Sequence, residues 1–371
     1  MTSPKACFAL LALLSLSVVA PASHRFWQTR LEVARSSQTA NGETAETSRH
    51  FSFHYEFAIK SVDPGQTLRV WIPLAHSDKW QTVRVTHLQG DLPLKKTQEK
   101  RYGNWMLYAS TVRATKSDYH FAVDYDVLRY ERSDLTEAQR KASETPSASP
   151  ATVKPAGFDL SVRRYLAPDK LVPVTGLPAQ IASKTVEGKN GELQQARAIY
   201  DYVLANMRYD KSGTGWGHGD ALWACNAKHG NCTDFHSLFM SMARSQGIPA
   251  RFEIGFPIPS NEIRGEIPGY HCWSEFYLSG GGWIPVDISE AWKNQSKKDY
   301  YFGSYDANRV QFTLGRDIVL SPAQAGEPLN YFVYPYVEVG GKTYDNVLNS
   351  FSFADVGTHN QSVPAAKASG R

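Results

Sequence analysis

Gly230-Asn231-Cys232-Thr233-Asp234-Phe235-His236-Ser237-Leu238-Phe239 places a cysteine where a helix is predicted to begin. From Phe235 the apolar residues recur at Leu238, Phe239, Met242 and Ala243, the spacing of one buried helical stripe. Gly247 and Pro249 end that pattern, and Gly230 and Asn231 suit a helix N-terminus better than a helix interior. A thiol in the first helical turn meets unpaired backbone N–H groups and the positive end of the helix dipole. Both favour the thiolate, which is the nucleophilic form. A buried, inert cysteine would carry the same local signature, so the reading needs a base elsewhere in the chain.

Two further stretches supply one. His271-Cys272-Trp273-Ser274-Glu275-Phe276-Tyr277-Leu278 reads as a strand, Ser279-Gly280-Gly281-Gly282 as a turn, and Trp283-Ile284-Pro285-Val286-Asp287 as the returning strand. A hairpin paired symmetrically about Ser279 would set His271 opposite Asp287 on one face. A bulge in the glycine run would shift that register. A thiolate at a helix start, an imidazole to take its proton and a carboxylate to orient the imidazole make up the logic of acyl transfer.

These three stretches, in this order, resemble the transglutaminase-like superfamily, whose members share a papain-like Cys-His-Asp core. The resemblance implies Cys232 as nucleophile, His271 as base and Asp287 as orienting carboxylate. It extends to Trp223-Ala224-Cys225 before the cysteine and to Gly315-Arg316-Asp317 and Asn330-Tyr331-Phe332 after the aspartate, features similar to those of secreted bacterial members. The implied fold is α+β: a helix carrying the cysteine, packed on an antiparallel sheet. No metal or organic cofactor is implied.

A chain of 371 residues suggests two domains, and 42% hydrophobic with 20% charged residues is an ordinary globular composition. The net charge of +4, with no basic block, gives no argument for nucleic acid. Residues 1–22 read as a signal peptide: Lys5, an uncharged apolar run from Ala6 to Ala20, then Ala20-Pro21-Ala22 as a small-residue cleavage site. The run is short for a membrane span, so a secreted or periplasmic protein without stable membrane insertion is expected, an uncleaved anchor being the alternative.

Residues 23–50 read as a polar N-terminal segment. Alternation at Phe51, Phe53, Tyr55 and Phe57, at Leu68, Val70 and Ile72, and at Phe121, Val123 and Tyr125 predicts an all-β sandwich over 51–132. Residues 133–158, with Glu144-Thr145-Pro146-Ser147, read as a linker. The catalytic domain is expected over 159–345, with helices near Ala179–Ser183 and from Gly191 to Met207. Edge strands closing the α+β core are expected around Pro335 and Gly340-Gly341, and residues 346–371 read as a C-terminal tail. Residues 211–231, with Gly213, Gly215, Gly217 and Gly219, read as a mobile loop over the site; a phosphate-cradling loop is the alternative, but no Gly-Lys-Ser or Gly-Lys-Thr follows. Trp216 and Trp223 on it are candidates for an indole oxyanion donor or simple packing residues.

Cys225, His229, Cys232 and His236 offer a competing zinc reading, since sulfur and imidazole suit that ion. It leaves His271 and Asp287 unexplained, and under the acyl-transfer reading His236 is a supporting or a satisfied core histidine. Asp234 reads as a helix N-terminal stabiliser, and Arg316-Asp317 as a surface pair, with support of the site as the alternative. Loss of a signal peptide would remove Cys7 and leave three cysteines; a Cys225–Cys272 disulfide is the pairing that spares Cys232, with a Cys225–Cys232 lock or three free thiols as alternatives. The expected function is a cysteine acyl transferase, peptidase or amidase acting on peptide or protein amides through an acyl-thioester, hydrolysis favoured. A catalytically silent peptide-binding module is the alternative.

Overall fold

A computed structural model describes residues 47–144 and 158–357. The expected signal peptide lies outside the described residues, as do most of the polar N-terminal segment and the Pro-rich part of the linker. Two five-stranded antiparallel sheets and one four-stranded antiparallel sheet frame the fold. The first orders its strands Arg264–Glu266, Val347–Asp355, Ser48–Ile59, Tyr119–Tyr130 and Gln81–Gly90. Its centre is the alternating stretch read from the sequence: Phe51, Phe53, Tyr55, Phe57 and Ile59 all point into the core. The second orders Lys342–Thr343, Tyr336–Val339, Leu68–Pro73, Trp105–Thr111 and Lys95–Gln98.

The four-stranded sheet orders Gly282–Val286, His271–Leu278, Ala250–Pro257 and Arg309–Leu314. The cysteine helix, Cys232–Ser245, packs on it and is buried on nearly every side. The helices Leu177–Thr185, Gly191–Asn206 and Ala221–Ala227 surround the cysteine helix and shield the residues its apolar stripe does not. The mixed helix and antiparallel sheet is the core that the resemblance implies, and the all-β region contributed by the N-terminal part is the one that the alternation predicts.

Four readings need correction. Val347–Asp355, expected as tail, is a strand paired along the whole of Phe51–Ile59; its buried Phe351 and Phe353 alternate with polar neighbours, a half-buried pattern too short to stand out. The polar N-terminal segment likewise ends in strand, since Ser48, Arg49 and His50 pair with Tyr130, Arg129 and Leu128. The expected linker opens with a helix, Glu137–Glu144. Tyr336–Val339 pairs with Leu68–Pro73, Lys342–Thr343 pairs with Tyr336–Val339, and neither joins the four-stranded sheet. Both ends of the described chain thus return to the β region. Aromatic rings knit the layers: Phe256 of the four-stranded sheet lies 4.5 Å from Phe351 and 5.1 Å from Phe53.

Candidate active site

Cys232 occupies the first turn of its helix, as the sequence predicts. Asn231 is the N-cap, its side chain accepting from Thr233 N–H, while Asp234 reaches back to Asn231 N–H at 2.9 Å in a reciprocal capping box. Among the described residues no partner takes the Cys232 N–H, one of the orphan donors of a helix start. The cap requires glycine before it. Gly230 sits at φ 151°, and a Cβ there would lie 2.3 Å from the Asp234 carboxylate.

His271 begins its strand and is buried, with Nε2 2.8 Å from Asp287 Oδ2. The other ring nitrogen, Nδ1, is left for Cys232, whose side chain is within hydrogen-bonding reach of the ring. The contact between His271 and Asp287 is not the cross-strand pair expected from the hairpin. Ser274 pairs with Val286 and Leu278 with Gly282, a register shifted from symmetry about Ser279, and the ladder stops before His271. Gly280 and Gly282, both at positive φ, widen the turn and cause the shift. Asp287 has already left the strand: it caps the helix Ile288–Lys293, its Oδ1 accepting from Glu290 N–H at 3.2 Å. The cap geometry delivers the carboxylate to His271.

Burial alone would raise the Cys232 thiol, but hydrogen bonds from Cys272 and His271 and the charge of His271 hold it well below its ordinary value. Burial would lower His271, yet the Asp287 carboxylate beside it pushes the ring up to about 10. Asp287, despite burial, is held well below the ordinary carboxylate range by His271 and by Arg309. Arg309 Nη1 donates to the same Oδ2 at 2.8 Å. The combination favours a thiolate–imidazolium pair.

His236, one turn along the cysteine helix, has a defined tautomer. Its Nε2 accepts from Ile288 N–H at 3.1 Å, so the proton sits on Nδ1, which donates to Cys232 O at 2.8 Å. Both nitrogens are spent, and the ring ties the Cys232 turn to the residue after Asp287. This overturns the zinc reading: His229 instead turns Nδ1 to Asp210 O at 3.2 Å, and no three of the four proposed ligands converge among the described residues. The donors that do cluster are His271, Asp287 and Glu290, a set that already holds the Arg309 guanidinium on its carboxylate.

Cys225, Cys232 and Cys272 are all free thiols. The Cys225–Cys272 bridge is not formed. Cys272 turns from its strand toward the cysteine helix, 3.8 Å from His236 Nδ1 and beside Cys232, and burial with that neighbour raises its own thiol well above the ordinary value. A thiol so held is a donor toward Cys232.

The glycine loop is fastened where mobility was expected. Gly217 N–H and Gly219 N–H donate to Asp234 at 2.7 and 2.9 Å. Arg316, read as a surface residue, is buried beneath the loop and donates to Gly219 O at 2.8 Å, to His218 O at 3.1 Å and to Ser237. Trp216 Nε1 donates to Gly213 O at 3.2 Å, which occupies that indole, and Trp223 packs its indole against the Gly215 backbone. Tyr270, which sequence reasoning passed over, belongs to the site: its hydroxyl accepts from Asn231 Nδ2 at 3.0 Å and feels the Cys232 charge. Arg309 and Cys272 were also missed as site residues, since a strand arginine and a strand cysteine carry no motif.

No helix among the described residues is long and apolar enough to cross a membrane. The chain is 29% identical over 334 residues to an uncharacterized protein of Haemophilus influenzae, covering 81% of this chain and 87% of that one. A second uncharacterized protein, from Mycobacterium leprae, is 27% identical over 176 residues, 43% of this chain and 60% of that one. The crystal structure of a candidate cysteine protease from Cytophaga hutchinsonii has a similar fold, with a TM-score of 0.56 at 17% identity over 85% of this chain and 93% of that one. Residues 179–288, which bring together Cys232, His271 and Asp287, match the model of the transglutaminase-like superfamily. The chain therefore contains a transglutaminase-like domain.

Proposed function

We propose that this protein is a cysteine enzyme that opens peptide or protein amides through an acyl-thioester, with Cys232 as nucleophile, His271 as base and Asp287 as orienting carboxylate. The observation that carries the proposal is the thiol in the first turn of its helix, set against a histidine whose far nitrogen is held 2.8 Å from a buried carboxylate. The Cys232 thiolate attacks the amide carbon while the carbonyl π electrons move to oxygen. The Cys232 N–H, which has no partner among the described residues, stabilises that oxyanion. Collapse expels the amine, which takes the proton from the His271 imidazolium. Neutral His271 then removes a proton from water, and hydroxide attack releases the acid and restores the thiolate. An amine in place of water gives a crosslink. Hydrolysis is favoured, with an extracytoplasmic site of action following from the N-terminal signal read in the sequence.

The test is incubation with denatured casein, with and without a primary amine, read by mass spectrometry. New termini or deamidation without amine incorporation supports hydrolysis; amine adducts support transfer. A silent peptide-binding module, the second reading, predicts neither product and no labelling of Cys232 by a peptide chloromethyl ketone.

A further inference from the structure

Val347–Asp355 is the strand that sequence patterning missed, and only part of its outer edge is covered. Arg264, Gly265 and Glu266 pair with Ala354, Phe353 and Ser352. Ile267 N–H donates to Phe351 O at 2.9 Å, and the chain then leaves the sheet at Pro268. The inner edge is settled by Lys60 N–H donating to Asn346 O and Val356 N–H to His50 O, so even-numbered residues face Ser48–Ile59. Odd-numbered residues therefore point their backbone groups outward, as Asp355 N–H does toward Ile263 O. Past the point where Pro268 departs, the Phe351 N–H, both backbone groups of Asn349 and the Val347 carbonyl have no partner among the described residues. They face a cavity of about 600 Å³ walled by Glu266, Ile267, Pro268 and Tyr334.

This cavity is close along the chain to the candidate active site, although Cys232, His271 and Asp287 do not line it. Pro268 precedes His271 by three positions, roughly 10 Å of extended chain. Tyr334, on the cavity wall, accepts from Tyr270 N–H at 3.3 Å, and Tyr270 in turn holds Asn231 beside Cys232. We infer that the open edge at Val347–Phe351 binds the acyl-donor substrate as an added β-strand, so that the substrate is an extended, unfolded polypeptide segment and not a small amide. The backbone groups on offer repeat every two residues, which is the spacing of a strand and of no other ligand. An added strand would complete the row at Asn349, with flanking bonds at Val347 and Phe351, and its next residues would lie along Pro268 toward His271. Substrate recognition then depends on main-chain groups several residues away from the attacked carbonyl. The inference rests on the acyl-transfer reading for the identity of the occupant.

The test measures binding of synthetic fluorescein-labelled casein peptides, about three to about twelve residues long, to Cys232→Ala by anisotropy, so that no turnover is needed. Affinity should rise about tenfold or more once a peptide extends more than about three residues beyond its reactive amide on one side. Asn349→Pro should erase that gain and leave short peptides unchanged; its lost N–H points away from the Ser48–Ile59 ladder, the position an edge strand tolerates. N-methylation of alternate distal amides in the peptide should do the same on the unaltered edge, with the intervening positions insensitive, which guards against misfolding of the proline variant. Equal affinity for short and long peptides, or a length gain untouched by both changes, would overturn the inference. So would a dimer in sedimentation velocity that Asn349→Pro dissolves, since the edge would then join two copies. Long peptides that bind in this way but are never acylated on the intact protein would instead sink the proposed reaction while the docking edge stood.

Discussion

At the scale of single residues, the site is a set of hydrogen bonds competing for few atoms. Asp287 Oδ2 serves both His271 and Arg309, so the arginine limits how strongly the carboxylate can stabilise an imidazolium. The pH dependence follows with its sign. Activity needs the thiolate, present above the depressed Cys232 value, and the imidazolium, present below the His271 value of about 10. The rate should therefore plateau through neutral pH and fall only as pH approaches 10. A basic limb centred near 7, in a kcat/KM profile on a casein peptide, would contradict the ion pair. Cys232→Ala should abolish turnover and leave thermal stability within about 1 kcal/mol, because a thiol at a helix start is small. Full activity in a folded Cys232→Ala protein would refute the nucleophile. Cys272→Ala removes the S–H directed at the thiolate, so the acid limb should move to higher pH, as read by the pH dependence of iodoacetamide labelling. An unmoved limb would reduce Cys272 to packing.

At the scale of elements, the start of the cysteine helix is also the anchor of the glycine loop. One carboxylate, Asp234, accepts from Gly217, Gly219 and Asn231. Three N–H donors converge on it, so a neutral amide there turns an NH₂ toward at least one of them. Asp234→Asn should lower stability by about 2 kcal/mol and speed hydrogen exchange at Gly217 and Gly219. Denaturant melts and exchange mass spectrometry check both, and unchanged exchange would mean that Arg316 and Asn330 hold the loop without Asp234. The same helix gains a second tether through His236, whose two nitrogens bind Cys232 O and Ile288 N–H. The Cys232 turn and the cap carrying Asp287 are thus tied together.

Across the whole molecule, the β region and the cysteine-bearing core are joined by shared interior. Phe53, Phe256, Phe312 and Phe351 come from segments far apart in sequence and pack ring to ring. Charge adds a second join. Glu275, on the histidine strand, is buried between Arg132 and Arg251. Burial would raise its carboxyl, but the two guanidinium groups hold it at about 2. A carboxyl depressed below its unfolded value stabilises the fold above roughly pH 4.5, and loses that contribution as pH falls toward 2. Glu275→Gln should therefore cost about 2 kcal/mol at neutral pH, since Arg132 and Arg251 lose the carboxylate they share and keep only Asp134 and Glu253, and the variant should lose less stability than the parent on acidification from 4.5. Urea melts across that window check the slope. Calorimetry should show one cooperative transition for the shared core, and two separated transitions would show that the aromatic junction does not couple the layers.

Much of this was legible in the amino-acid sequence, for a local reason. A helix buried on one face must repeat apolar residues near every 3.6 positions and a half-buried strand every two, so the helix after Cys232 and the strand from Phe51 announce themselves without knowledge of their partners. The order of Cys232, His271 and Asp287 was likewise readable, because each lies in a distinctive local motif. What only the tertiary structure decided are choices between distant partners that local patterning leaves equal. Two positive-φ glycines shifted the hairpin and moved Asp287 from a strand pair to a helix cap. The topology of the sheets brought Arg309 onto Asp287, Cys272 against Cys232 and Arg316 beneath the glycine loop. Val347–Asp355 became a strand because the edge of Ser48–Ile59 was there to pair with it, and only long-range pairing of that kind creates the open edge beside the site.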